Sequence, residues 1–153
     1  MKLEIERKFM VRGTGWQTTG PRHMEQGYLA RTPGVSIRVR KSAPHAWLSV
    51  KATRQGITRE EFEYAIPVPD ADALLTLCGG HRVEKRRHVI RHEGDVWEVD
   101  EFLGANTGLV VAEIELEDPQ QPFVRPPWVG REVTDDARYY NANLAQTPFT
   151  AWR

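Results

Sequence analysis

Acidic residues recur two apart along this chain, at Glu4 and Glu6, Glu61 and Glu63, Glu98 and Asp100, and Glu113, Glu115 and Glu117. Cations repeat the same spacing at Arg38 and Arg40 and at Lys85 and Arg87, with Lys8 and Lys51 on similar stretches. Residues two apart share one face of a β-strand, so each group presents a single sign of charge in one direction. Clustered carboxylates are the oxygen donor set of a hard divalent cation, Mg²⁺ or Mn²⁺. Clustered Arg and Lys suit a polyanion, most naturally a chain of phosphates. A metal that bridges carboxylates to phosphoryl oxygens is the usual arrangement for phosphoryl transfer. The competing reading is plainer. Taken alone, Leu3 to Phe9 fits a half-buried strand with Glu4, Glu6 and Lys8 in water.

The elements that must position these groups are mostly strands. Alternation marks Leu3–Phe9, Gln26–Arg31, Val35–Lys41, Trp47–Thr53, Arg59–Ile66, Arg82–Arg91, Asp95–Leu103 and Leu109–Glu117, separated by short Gly- and Pro-containing turns. Asp70 is placed to cap a helix running to about Leu77, stopped by Gly79-Gly80, and Thr134 or Asp135 to cap a final helix over about Ala137–Ala145. Pro119, Pro122, Pro126 and Pro127 enforce an irregular stretch between them. If every polar face pointed to water, nothing would sort carboxylates onto some strands and cations onto others. The predicted fold is therefore α+β, a single domain over residues 1–153. Its eight antiparallel strands close into a barrel with a charged interior, and a few helices pack outside. Closure also removes exposed sheet edges. Buried charges are costly without partners, so the two signs must pair with each other or with a ligand.

Composition narrows the partners. The 153 residues carry 21 Lys and Arg against 21 Asp and Glu, which argues against duplex DNA or an anionic membrane as a general electrostatic partner. The one cysteine, Cys78, excludes an internal disulfide and a multi-thiolate metal site. No apolar run approaches the roughly 20 residues that span a bilayer, and a charged strand beginning at residue 2 leaves no room for a signal peptide, so the expectation is a cytoplasmic protein. The histidines show no zinc spacing. The tryptophans are expected in an outer core, because Trp97 alternates against Glu98 and Asp100 instead of interleaving with cations as a nucleic-acid platform would.

In their order along the chain these residues resemble the CYTH superfamily, also called triphosphate tunnel metalloenzymes. The resemblance rests on Glu4-x-Glu6-x-Lys8, Gln26-Gly-Tyr-Leu29, Arg38 with Arg40, Lys51, Glu61-x-Glu63, Lys85-x-Arg87, Asp100, Glu113-x-Glu115, Glu132-Val-Thr134 and Tyr140-x-x-Asn143. It implies an eight-stranded tunnel that binds a triphosphate with a divalent metal and cleaves its terminal phosphoanhydride. By the same resemblance Glu4, Glu6, Glu113 and Glu115 are the expected metal ligands, with Glu63 and Asp100 as helpers. Lys8, Arg38, Arg40, Lys51, Lys85 and Arg87 are the expected phosphate cradle, and Tyr28 beside Lys51 is a candidate base. Glu61, Glu98 and Glu117 are open between such roles and simple pairing with a cation. Small loops favour inorganic tripolyphosphate as substrate. A class IV adenylate cyclase, an organic triphosphatase and a non-catalytic polyphosphate sensor stay open as alternatives. A homodimer is implied by the resemblance only.

Overall fold

The computed structural model describes residues 1–152. Eight strands follow the turn signals closely: β1 (Lys2–Val11), β2 (Arg22–Thr32), β3 (Val35–Ser42), β4 (His45–Gln55), β5 (Thr58–Ala65), β6 (Arg82–His92), β7 (Asp95–Phe102) and β8 (Val110–Leu116). They pair in the order β5-β4-β3-β2-β6-β7-β8-β1, and β1 pairs back onto β5 through Lys2↔Glu61 and Ile5↔Thr58. Every ladder is antiparallel, so the sheet is a closed barrel. The β6–β7 connection shows how local chemistry sets register. Glu93 and Gly94 both take positive φ, 50° and 82°, as a two-residue hairpin turn with the strands' own twist requires.

The barrel is inside out relative to most small barrels: charge lines the interior and the apolar faces pack outward. One outer core joins Phe9, Trp97, Val99, Ala112 and Ile114 to Trp16 and Trp128, which come from the segments that follow β1 and β8. Phe9, Trp97, Phe123 and Trp128 meet edge to face, with ring centroids 5.6–5.9 Å apart. A second core sets Ala71, Leu75 and Cys78 of helix α1 (Val68–Leu77) and its C-cap against Val39 and Ala46. A third seats Tyr139, Leu144 and Ala145 of the C-terminal segment on Val83, Phe102, Leu109 and Val111. Trp16, Trp97 and Trp128 thus serve the outer core, as expected, and Trp152 packs against the third core, whereas Trp47 lies beside His45 outside all three. No helix among the described residues is long and apolar enough to cross a membrane.

Three local expectations need correction. Asp70 does not cap α1: Pro67 occupies the cap, no side chain bonds there, and Asp70 lies inside the first turn, where its charge complements the helix dipole. The final helix is broken. A 3-10 turn (Ala137–Tyr139) precedes an extended Tyr140 (ψ 134°), and α2 covers only Asn141–Gln146. Thr134 cannot cap it, because its hydroxyl accepts from the Lys8 backbone N–H at 3.0 Å and donates to Glu132 at 2.6 Å; Asp136 caps the 3-10 turn instead. The third difference is a short strand, β9 (Val129–Glu132), paired to the end of β1 through Phe9↔Glu132. Gly130 permits the close approach, since a Cβ there would lie 3.1 Å from the Met10 carbonyl oxygen.

Candidate active site

A cavity of about 750 Å³ runs through the barrel. Of the residues expected at a site, Glu4, Glu6, Glu63, Glu113, Glu115, Lys8, Arg38, Arg40, Lys51, Lys85, Arg87 and Tyr28 all line it. Asp100 does not. It is fully buried beneath the cavity-lining Lys85 and Arg87, and its carboxylate accepts from Arg87 at 2.8 and 2.9 Å and from Lys85 at 2.7 Å. Burial alone would raise the Asp100 pKa, but Arg87 and Lys85 together hold it down at about 2. Its position suits an internal counter-ion for two cradle cations, not a ligand.

The carboxylate wall comes from β1, β7 and β8. Register sets Glu6 directly opposite Glu115 and Glu98 directly opposite Glu113. Facing like charges are unfavourable unless a cation lies among them. Lys8 meets part of that need: its ammonium donates to Glu113 at 2.5 Å and lies 3.3 Å from Glu6. Burial would raise Glu6, yet Lys8, Lys51 and Arg59 outweigh both burial and Glu4 and bring it to about 2. Glu113 is likewise pushed up by burial and by Glu6, but Lys8, Arg87 and Lys85 leave it below the usual range. Burial and the neighbouring carboxylates raise Glu98 despite Arg87 at 3.0 Å. Glu4 is held by Lys51 at 2.8 Å, Glu115 by Lys2 at 3.0 Å, and Glu63 accepts from Ser49 at 3.3 Å.

The cationic wall comes from β3 and β6. Arg38 is buried, its nearest carboxylate is Glu61 at 3.9 Å, and its Nε has no hydrogen-bond partner. Arg40 forms no ion pair among the described residues; its Nε donates to the neutral Gln26 Oε1 at 2.9 Å. Burial, then Arg38 and Arg87, lower Arg40 to about 10. Lys85 is fully buried, and burial with the nearby arginines brings it down to about 7 against the opposing pull of Asp100. Two arginines therefore stand together with little or no anionic compensation, across the cavity from an excess of carboxylates.

The CYTH domain family model matches residues 2–146. The chain belongs to the CYTH domain family. It is 46% identical over 151 residues to an inorganic triphosphatase of Acetivibrio thermocellus, covering 97% of each chain. It is 37% identical over 149 residues to an inorganic triphosphatase of Nitrosomonas europaea, covering 93% of this chain and 96% of that one. A crystal structure of an inorganic triphosphatase superposes with a TM-score of 0.69 at 35% identity, covering 93% of this chain and 97% of the other.

Within this CYTH domain the open assignments of Glu61, Glu98 and Glu117 separate. Glu61 pairs with Lys51 at 3.5 Å and Glu98 with Arg87, both on the cavity wall, whereas Glu117 lies exposed beyond the end of β8 and off the wall. Tyr28 and Lys51 both reach the cavity, but no hydrogen bond joins them; the Tyr28 hydroxyl accepts from Gln26 at 3.3 Å. Sequence reasoning missed Arg31, Arg59 and Asn141, which line the same end of the cavity. Arg59 covers the Tyr140 ring at 5.6 Å and shares alternation with Glu61, so its parity was a usable signal. Arg31, bonded to Asn143 at 2.5 Å, gave none: a register shift between Tyr28 and Ala30 reverses the facing of β2 before it. Asn141 accepts from both Lys85 and Gln26, a contact made only when the C-terminal segment folds back onto β6.

Proposed function

We propose that this CYTH domain hydrolyses inorganic tripolyphosphate to pyrophosphate and phosphate with the help of Mg²⁺ or Mn²⁺. The observation that carries this reading is the pair Arg38 and Arg40: Arg38 is buried with only Glu61 near it, at 3.9 Å, and half-buried Arg40 forms no ion pair among the described residues, both facing a wall of acids. Uncompensated arginines in a confined cavity need an anion, and the opposite wall suits a cation that arrives with it. The names of the two bacterial relatives support the same chemistry.

The residues present fit a hard divalent ion. Glu4, Glu6, Glu113 and Glu115 offer oxygen donors only, and a cation held among them would offset the repulsion between the facing Glu6 and Glu115. Once bound, such an ion would offset phosphoryl charge and favour a nucleophilic water. The rest falls to the chain. Arg38, Arg40, Lys85 and Arg87 bind and align the phosphate oxygens. Lys8 and Lys51 are held by Glu113 and Glu4, and would be free to turn to phosphate were those carboxylates to hold an ion. Water oxygen adds to the terminal phosphorus, the bridging P–O bond breaks, and its electron pair leaves with pyrophosphate. The Tyr28 oxygen, on the cavity wall, is the group we assign to accept the water's proton. The cationic site opposes the charge that otherwise repels the nucleophile. An organic group beyond the triphosphate finds little to stack on, because the aromatic at the C-terminal end, Tyr140, is covered by Arg59.

The test is incubation with tripolyphosphate, ATP and thiamine triphosphate, each with Mg²⁺ or Mn²⁺, measuring phosphate, pyrophosphate and cyclic AMP. The expected result is phosphate and pyrophosphate from tripolyphosphate, strictly dependent on metal. Arg40→Ala should lower kcat/KM by about 100-fold or more while the fold persists, and Glu4→Gln should abolish metal-dependent turnover. Cyclic AMP from ATP would favour a cyclase, and tight binding without turnover a sensor; either result overturns the proposal.

A further inference from the structure

Gln26 is completely buried and does not reach the cavity surface, yet three cavity residues meet at its amide. Its Oε1 accepts from Arg40 Nε at 2.9 Å. Its Nε2 donates to the Tyr28 hydroxyl at 3.3 Å and to Asn141 Oδ1 at 3.2 Å. Asn141 Oδ1 in turn accepts from Lys85 Nζ at 2.9 Å, and Lys85 donates to Asp100. The amide of Gln26 is thus the junction between β3, through Arg40, and the first residue of α2.

Arg40 sits in the field of Arg38 and Arg87 and forms no ion pair among the described residues. A flexible arginine in that field, held by nothing, would turn toward solvent. A carboxylate could hold it, but would also neutralise it and compete with the phosphate for which it is kept free. A neutral acceptor beneath the wall fixes the guanidinium through one nitrogen and leaves its charge and remaining donors to the cavity. Asp100 plays the opposite part under Lys85 and Arg87, where a charged counter-ion offsets two cations at once.

We infer that Gln26 is a positioning residue for triphosphate binding: it aims Arg40 into the tunnel, and orients the Tyr28 hydroxyl and Asn141, without touching substrate. The inference rests on the triphosphatase reading for its substrate. Its consequence is particular: the side chain must be an amide, because a same-sized carboxylate fills the space and still accepts from Arg40, yet should impair binding.

The experiment measures kcat and KM for tripolyphosphate with Mg²⁺, together with calorimetric affinity for tripolyphosphate, in wild type, Gln26→Glu, Gln26→Leu and Arg40→Ala. Gln26→Glu is expected to raise KM by roughly ten- to a hundredfold, the range spanned by the one charge-assisted phosphate contact that its carboxylate would take from Arg40, with thermal stability near that of wild type. Gln26→Leu should raise KM similarly. Combined with Arg40→Ala, it should add much less than its separate effect, because both changes remove the same contact. A purely packing role predicts wild-type KM for Gln26→Glu, and KM and affinity within twofold of wild type in that variant would overturn the inference. So would full additivity with Arg40→Ala. Failure of the triphosphatase reading appears elsewhere, as a wild-type protein that releases no phosphate, and calorimetric affinity then decides the role of Gln26 alone.

Discussion

Asp100 divides its two oxygens between Arg87 and Lys85 and is wholly removed from solvent. Asp100→Asn keeps the shape and deletes the charge, which leaves buried Lys85 without a counter-ion and Arg87 with only Glu98 and, at 3.9 Å, Glu113. Breaking such a pair costs about 3–5 kcal/mol, so urea unfolding at pH 7 should show a loss of that order. The pH dependence follows from the direction of the shift. The folded-state value of about 2 lies below the ordinary 3.8, so the stabilisation is fully present above about pH 4 and is lost as pH falls through 2. The gap between wild type and Asp100→Asn should therefore narrow between pH 4 and pH 2; a constant gap would refute the role. Alternation placed Asp100 on the inner face correctly. Its depth was not legible, because that depends on Arg87 lying directly across from it on β6, a register no spacing along one strand reveals.

Strands were read from the chain more securely than helices, and the reason is physical. A two-residue period repeats over most of each of the first eight strands and is bounded by turn chemistry, whereas β9 has only four residues and follows a proline-rich run. It exists because Arg7 donates to Glu132 at 2.8 Å and packs over the Phe123 ring at 5.0 Å, contacts spanning more than a hundred residues of sequence. Helix α1 likewise depends on a contact across elements. A Cβ added at Gly27 of β2 would come 2.6 Å from the Cys78 sulfur and 2.9 Å from its Cβ. Strand and helix end therefore touch at a point with no slack, between Gln26 and Tyr28. Gly27→Ala should destabilise by about 1–3 kcal/mol, the usual cost of overpacking. Cys78→Gly in the same chain should recover part of that loss in denaturant midpoint. No recovery would mean that the strain arises elsewhere.

Across the whole molecule the charges sum to zero, so attraction for a metal-bound triphosphate comes from their separation inside the tunnel and not from net charge. That separation has a cost, most visible where Glu6 faces Glu115 across β1 and β8. The sorting of signs onto different strands was what made a closed tunnel legible from sequence; the facing pairs were not, since they appear only once β7, β8 and β1 are neighbours. A divalent cation seated there should stabilise the fold by mass action, by about 3 kcal/mol at a hundredfold excess over its dissociation constant. Glu115→Gln separates the two effects. It removes one facing charge and an exposed contact to Lys2, which is worth at most about 1 kcal/mol. Without metal the variant should therefore be no less stable than wild type within that margin, while the Mg²⁺- or Mn²⁺-induced rise in Tm should be largely lost. Thermal unfolding across a metal titration, with Ca²⁺-free buffer and no substrate, reads this without reference to turnover. A Glu115→Gln protein that keeps the full metal-induced rise would place the ion away from the Glu6–Glu115 pair.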